Sequence, residues 1–293
     1  MKRIVAAIMI LFVGVGVLVY PTISNYLAEK NGSYALDTYE KEIKKQNKSK
    51  LLNEWKKAKI FNENLAGNPV HDPFVEGSGY AIQGNYFEVL NVNDTMGKLE
   101  IPKIKVELPI YHGTKPETLK KGIGHLEGSS LPTGGKSTHS VLTGHTGLSG
   151  AKMLTDLTEL KKGDLFYLTI LDKTLAYRVD NIQIVEPEKV EALKLIKGED
   201  HCTLLTCTPY GVNSHRLLVR GIRTKYIPEE KKKIKTVENT KINRKVMIAA
   251  ITTAGIMLTL IGLRLYFIYK GNKKNKNTGI KGRRYKKDVK KNQ

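Results

Sequence analysis

Two long apolar runs bracket the chain. Residues 4–20 carry no charged side chain and follow Met1-Lys2-Arg3. Residues 246–269 are interrupted only by Arg264. The first run is 17 residues long and reaches about 26 Å as a helix, at the short end for a membrane span. A cleaved signal peptide competes for this segment. The run is long for the apolar region of such a peptide, and no A-x-A-like site follows, which favours an uncleaved anchor. The second run is the better span, because Arg264 lies near its end and can extend its charge to the interface.

Between the runs the pattern changes twice. Over residues 33–65 apolar positions recur at helical spacing, first Leu36, Tyr39 and Ile43, then Leu51, Trp55 and Ala58. The polar stretch 44–50 predicts a break, hence a helical pair packed on the side of a domain. Residues 67–84 are rich in Gly and Pro around His71-Asp72-Pro73-Phe74 and read as a loop. From Met96 onward the apolar runs become short and are separated by turn residues. Strands are predicted at 97–102, 106–111, 140–144, 165–171, 175–185, 203–207 and 217–223. Short helices fit near 116–121, 152–160 and 187–195. The class is mainly β, a sandwich or a closed barrel. The predicted layout is an N-terminal anchor at 1–22, a helical region with its loop at 33–84, and a β domain at 85–225. A basic linker follows at 226–245, then a membrane helix at 246–269 and a basic tail at 270–293.

The formal net charge of +21 raises the question of nucleic acid. Its distribution answers against it. The tail 270–293 holds eleven Lys/Arg against one Asp, a local +10. Basic residues flanking apolar runs have a simpler membrane explanation, and the tail is expected in the cytoplasm. Residues 21–245 would then lie outside the cell. No nucleic-acid partner is expected. The two cysteines, Cys202 and Cys207, provide no disulfide framework. On one strand they would face opposite sides. No His/Cys spacing suggests a metal, and no cofactor is expected.

The richest chemistry lies in C-T-L-L-T-C-T-P-Y-G-V-N-S-H-R-L-L-V-R-G, residues 202–221. Two buried strands joined by a polar turn would put Cys207 at the end of one and Arg216 at the start of the next. Adjacent strands lie about 5 Å apart, so a thiol and a fixed cation can face each other, an arrangement suited to a nucleophile. The bland reading of a free cysteine is a small buried hydrophobe. It is the reading for Cys202, whereas the turn position and the arginine argue against it for Cys207. Of seven histidines, most read as ordinary surface or loop residues. His145 stands apart in V-L-T-G-H-T-G-L, directly after a strand and flanked by glycines that permit close approach. His139 precedes that strand, and His215 should point away from the face of Arg216.

T-L-L-T-C followed by an arginine on the next strand resembles the active-site segment of sortases, the cysteine transpeptidases of Gram-positive surfaces. The T-P-Y-G-x-N continuation resembles their pilus-building branch, class C, and the His145 segment resembles the sortase histidine segment. The resemblance covers roughly 33–224. It implies an eight-stranded β-barrel, Cys207 as nucleophile, His145 as general acid/base and Arg216 as stabiliser of the oxyanion. It also implies that Asp72 and Phe74 belong to a lid over the site. The implied partners are surface proteins with an L-P-x-T-G-like signal and an amine, a pilin lysine or a cell-wall precursor. Anchoring proteins to cell-wall peptide, or a catalytically silent surface module, are the competing readings. Residues 131–135, L-P-T-G-G, imitate such a signal, but Gly134 stands where threonine is needed. The stretch reads as a turn.

Overall fold

A computed structural model describes residues 2–65, 84–146 and 151–236, with scattered positions between 252 and 270. The chain divides into two units, Met1–Val19 with Asn239–Gln293, and Tyr20–Glu238.

Eight strands close into a barrel in the order β1-β2-β3-β4-β7-β8-β6-β5. They are β1 Thr95–Ile101, β2 Val106–His112, β3 Ile123–His125, β4 Thr138–Thr143, β5 Leu165–Ile170, β6 Lys173–Val185, β7 Asp200–Thr208 and β8 His215–Thr224. Among the described residues, closure leaves this sheet without an edge strand. Most pairs are antiparallel, but β2 pairs with β3, and β4 with β7, in parallel. The second parallel pair joins residues about sixty positions apart in sequence and builds the functional end of the barrel. The interior is filled by apolar side chains such as Leu99, Ile110, Leu142, Phe166, Leu168, Leu204 and Val219, all fully buried.

Seven of these strands match the predicted ones. β3 was not predicted. Its three residues are too few to show a period, and Gly124 within it reads as a breaker. That glycine is required because a Cβ there would sit 2.4 Å from the Gly113 carbonyl oxygen. Single helical turns occur at Pro116–Leu119, Thr155–Glu159 and Glu191–Leu193, where short helices were expected.

Two helices precede the barrel. α1 runs Lys2–Lys45 and α2 runs Lys48–Leu65. The break falls in the expected polar stretch, where Asn47 Oδ1 accepts the Lys50 N–H at 2.8 Å as an N-cap. The anchor and first helix expected separately form one helix, with Pro21 inside it. Tyr39 fastens α1 to the barrel. Its hydroxyl accepts from Leu171 N at 2.7 Å and donates to Met96 O at 3.3 Å. Trp55 of α2 donates to Asp172 at 2.8 Å, under the ammonium of Lys173. Asn62 accepts from Leu131 N at 2.7 Å and donates to Leu131 O at 3.2 Å. The sorting-signal lookalike is therefore a turn whose buried first residue is held by α2.

Among the described residues no helix is long and apolar enough to cross a membrane. The structure thus lends no support to the two expected spans. Most of 246–269, and the side chains at many positions of 4–20, lie outside the described residues. The loop 66–83, with Asp72 and Phe74, also lies outside them.

Candidate active site

β7 and β8 form a hairpin in which Cys207 and Arg216 are direct cross-strand partners. Both side chains are nearly enclosed, 8% and 7% exposed. Alternation puts Cys207 on the face of Leu205, and Arg216 on that of Leu218. Those two leucines pack with Leu126, Val141 and Leu193 in a small cluster separate from the main core. Leu193 comes from the β6–β7 connection, so that loop packs against the strands that carry Cys207 and Arg216. The guanidinium is braced by its own turn. Its Nη1 donates to Asn213 O at 3.1 Å and to His215 O at 3.3 Å. The turn is closed by Val212 N and Asn213 N, both donating to Pro209 O. Gly211 and Asn213 take left-handed backbone, φ +78° and +59°, which glycine and asparagine adopt most readily.

His145 arrives by the parallel pair. Thr143 of β4 is level with Leu205 of β7. Gly144 N continues the ladder, donating to Leu205 O at 3.1 Å. His145 follows two residues after Thr143, the last paired residue of β4. Gly144 has no room for a side chain, since a Cβ would meet Ile123 at 2.8 Å and Leu154 at 3.0 Å. Thr206, which sequence reasoning missed as a functional residue, fixes the backbone on both sides. Its hydroxyl donates to Gly144 O at 2.7 Å, and the Thr146 hydroxyl lies 2.6 Å from it. Only its place beside the nucleophile could have marked it. His145 is half-buried, and this burial, followed by the charge of Lys120, holds its imidazole pKa below the usual 6.5.

The other histidines correct one expectation. His112, His125, His139 and His201 are buried, at 9%, 0%, 2% and 1% exposure, and are not surface residues. They sit on strands, where sequence spacing does not reveal which face is covered. His139 has its own partners. Nδ1 donates to Lys194 O at 2.9 Å, and Nε2 accepts from the Thr203 hydroxyl at 2.7 Å. It thereby pins the β6–β7 loop and is not available to Cys207. His215 is exposed and bonds Ser214, on the opposite face from Arg216 as predicted. Cys202 is fully buried in the core, and burial, then Asp200, pushes its thiol pKa well up. Both cysteines are free of disulfides. Asp72 and Phe74 lie outside the described residues.

A thiol and a braced guanidinium thus face each other across β7 and β8, and His145 follows the end of β4, the parallel neighbour of β7. Among known families, the sortase domain matches residues 99–224. In structure, the chain is similar to sortase C-1 of Actinomyces oris, with 50% identity and a TM-score of 0.58 over 60% of this chain and 99% of that one. The chain belongs to the sortase family. It is also similar to the pilus-related sortase C of Group B Streptococcus, with 41% identity and a TM-score of 0.61, covering 65% of this sortase and 97% of that one. Its structural neighbours are thus class C sortases. Sortase A of Bacillus anthracis is 30% identical over 132 residues, 45% of this chain and 61% of that protein. This sortase spans about half to three-fifths of the length of the curated relatives it first matches.

Proposed function

We propose that this sortase is a class C transpeptidase that builds covalent pili. Cys207 attacks the Thr–Gly carbonyl of an L-P-x-T-G-like signal and forms a thioacyl bond as the glycine amine leaves. His145 protonates that amine and later takes a proton from the incoming one. Arg216 donates to the developing oxyanion. The observation that carries this reading is the cross-strand pairing of Cys207 with Arg216, with His145 two residues beyond the end of β4, which runs parallel to β7. The neutral-leaning imidazole suits the proton-accepting half of the cycle. With unperturbed pKa values the thiolate–imidazolium form is only about 1% near pH 7. A lowered histidine pKa reduces it further for a given thiol, so turnover is expected to be slow.

The decisive experiment incubates an L-P-x-T-G pilin with a lysine-bearing pilin domain, or with an amine-terminated cell-wall peptide. The wild-type chain should join the lysine in preference. Cys207→Ala should join neither, and continued isopeptide formation by it would refute the mechanism. Preference for the cell-wall peptide would favour the anchoring reading.

The lid and the location belong to the same proposal. The D-P-F motif supports a lid of Asp72 and Phe74 over Cys207. The two apolar runs and the +10 tail support a membrane-anchored protein with its barrel outside and its tail in the cytoplasm. A membrane-impermeant thiol reagent on intact cells checks both. It should label Cys207, and faster when residues 70–76 are deleted. Protection of Cys207 from the reagent in both forms would count against external placement, and equal labelling in both against the lid.

A further inference from the structure

His145 is supported from behind by residues 152–154. Leu154 N donates to His145 O at 3.1 Å, and the Leu154 side chain fills the space left by Gly144. The preceding residue, Met153, is buried in left-handed backbone, φ +41°. A non-glycine residue persists there only where its neighbours over-determine it. One constraint is the bond from Leu154 to His145. The other comes from the far end of the unit. Lys152 N donates to Asn25 Oδ1 of α1 at 2.8 Å, across 127 positions of sequence. The Lys152 ammonium adds an ion pair to Asp156 at 2.6 Å and a bond to Ile104 O at 3.3 Å.

Asn25 is itself oriented. Its Nδ2 donates to Glu29 Oε1 at 2.8 Å, which leaves Oδ1 as the acceptor for Lys152. It lies at the top of the docked stripe of α1. Asn25 and Ala28 are half-buried, and Gly32, Leu36 and Tyr39 are buried, at the spacing of one helix face. At position 32 that face packs against Pro109, whose Cδ lies 3.6 Å from where a Cβ would be.

We propose that Asn25 is a positioning residue for transpeptidation, which through Lys152 fixes the Met153–Leu154 step that supports the His145 backbone. The helix that enters the barrel unit is thereby part of the active site's framework, not only a tether. This rests on the reading of His145 as the general acid/base.

The test uses the full chain in detergent, an L-P-x-T-G peptide and an amine acceptor. Asn25→Leu keeps the branched side-chain skeleton and removes the acceptor. The double variant Asn25→Asp with Glu29→Gln restores an acceptor oriented by a donor at position 29. Ångström-scale misplacement of a catalytic group can cost up to about a hundredfold in rate. Here Asn25→Leu is expected to lower kcat about tenfold, with KM within about twofold and an unchanged melting temperature. The double variant is expected to recover kcat to within about twofold of wild type. Unchanged kcat in Asn25→Leu would overturn the proposal. So would a double variant as slow as Asn25→Leu, or a general loss of melting temperature, since each makes Asn25 a stability residue at most. An inert Cys207→Ala beside a fully active Asn25→Leu would sink this proposal alone. An active Cys207→Ala would sink the catalytic reading beneath it.

Discussion

His145 faces two demands that oppose each other. In the proposed mechanism it must carry a proton to release the leaving amine, yet burial and then the positive charge of Lys120 press it toward the neutral form. Lys120 is exposed, so its share of the effect is weakened by salt. Lys120→Gln removes that share and lets the imidazole pKa rise. The imidazolium is then a larger fraction near neutral pH, and so is the thiolate–imidazolium form. The expected outcome is a modest gain in kcat/KM and an acid limb moved to higher pH, with the difference from wild type shrinking as salt is raised. A pH series of kcat/KM on both proteins checks this. An acid limb that stays in place or moves to lower pH would contradict it. Cys207 and Arg216 were legible in the sequence because a short turn between two apolar runs fixes which residues face each other. Thr206 was not, because the partners of its hydroxyl, Gly144 and Thr146, lie about sixty positions away in sequence.

At the scale of elements, what was legible follows how much pattern each element offers. The hairpins of β5 with β6 and of β7 with β8 are long enough to show runs between turn residues, and both were found. β3 has three residues and is defined by its neighbours, pairing with β2 on one side and β4 on the other. No local propensity could announce it. The continuity of α1 was hidden for a different reason. Pro21, and Gly32 after Asn31, are helix punctuation in a local reading. At Gly32 tertiary contact overrides the signal, as this residue is buried against Pro109. The turn at residues 131–135 is likewise decided from outside itself. Its first residue is fully buried, with its backbone N–H and C=O both satisfied by the Asn62 amide. Both groups would cost free energy if buried unpaired. α2 therefore does more than cover the barrel, because it holds the polar backbone of a loop that leads into β4 and so toward His145.

The whole barrel unit carries a pH dependence that is separate from catalysis. Four buried histidines, His112, His125, His139 and His201, all have pKa values lowered chiefly by burial. For His125 and His139 the value falls to about 4, against about 6.5 in an unfolded chain. Between those values the unfolded chain binds more protons than the folded one, so stability rises with pH. The stabilisation is present above about pH 6.5 and is lost progressively as pH falls toward 4, by as much as about 3 kcal/mol per histidine. Asp200 acts in the opposite sense, since burial raises its pKa. The protein has a single tryptophan, Trp55, which lies between α2 and the β5–β6 turn, so its fluorescence reports helix–barrel docking. Urea denaturation followed at Trp55 should show a midpoint that falls steadily from pH 7 to pH 4.5. His139→Gln keeps a donor and an acceptor for Lys194 and Thr203 but cannot take up the proton. It should be less stable than wild type at pH 7 and show a shallower fall below pH 6.5. A variant with the wild-type slope would mean that His139 is not buried in its neutral form, and would remove the anchor assigned here to the β6–β7 loop.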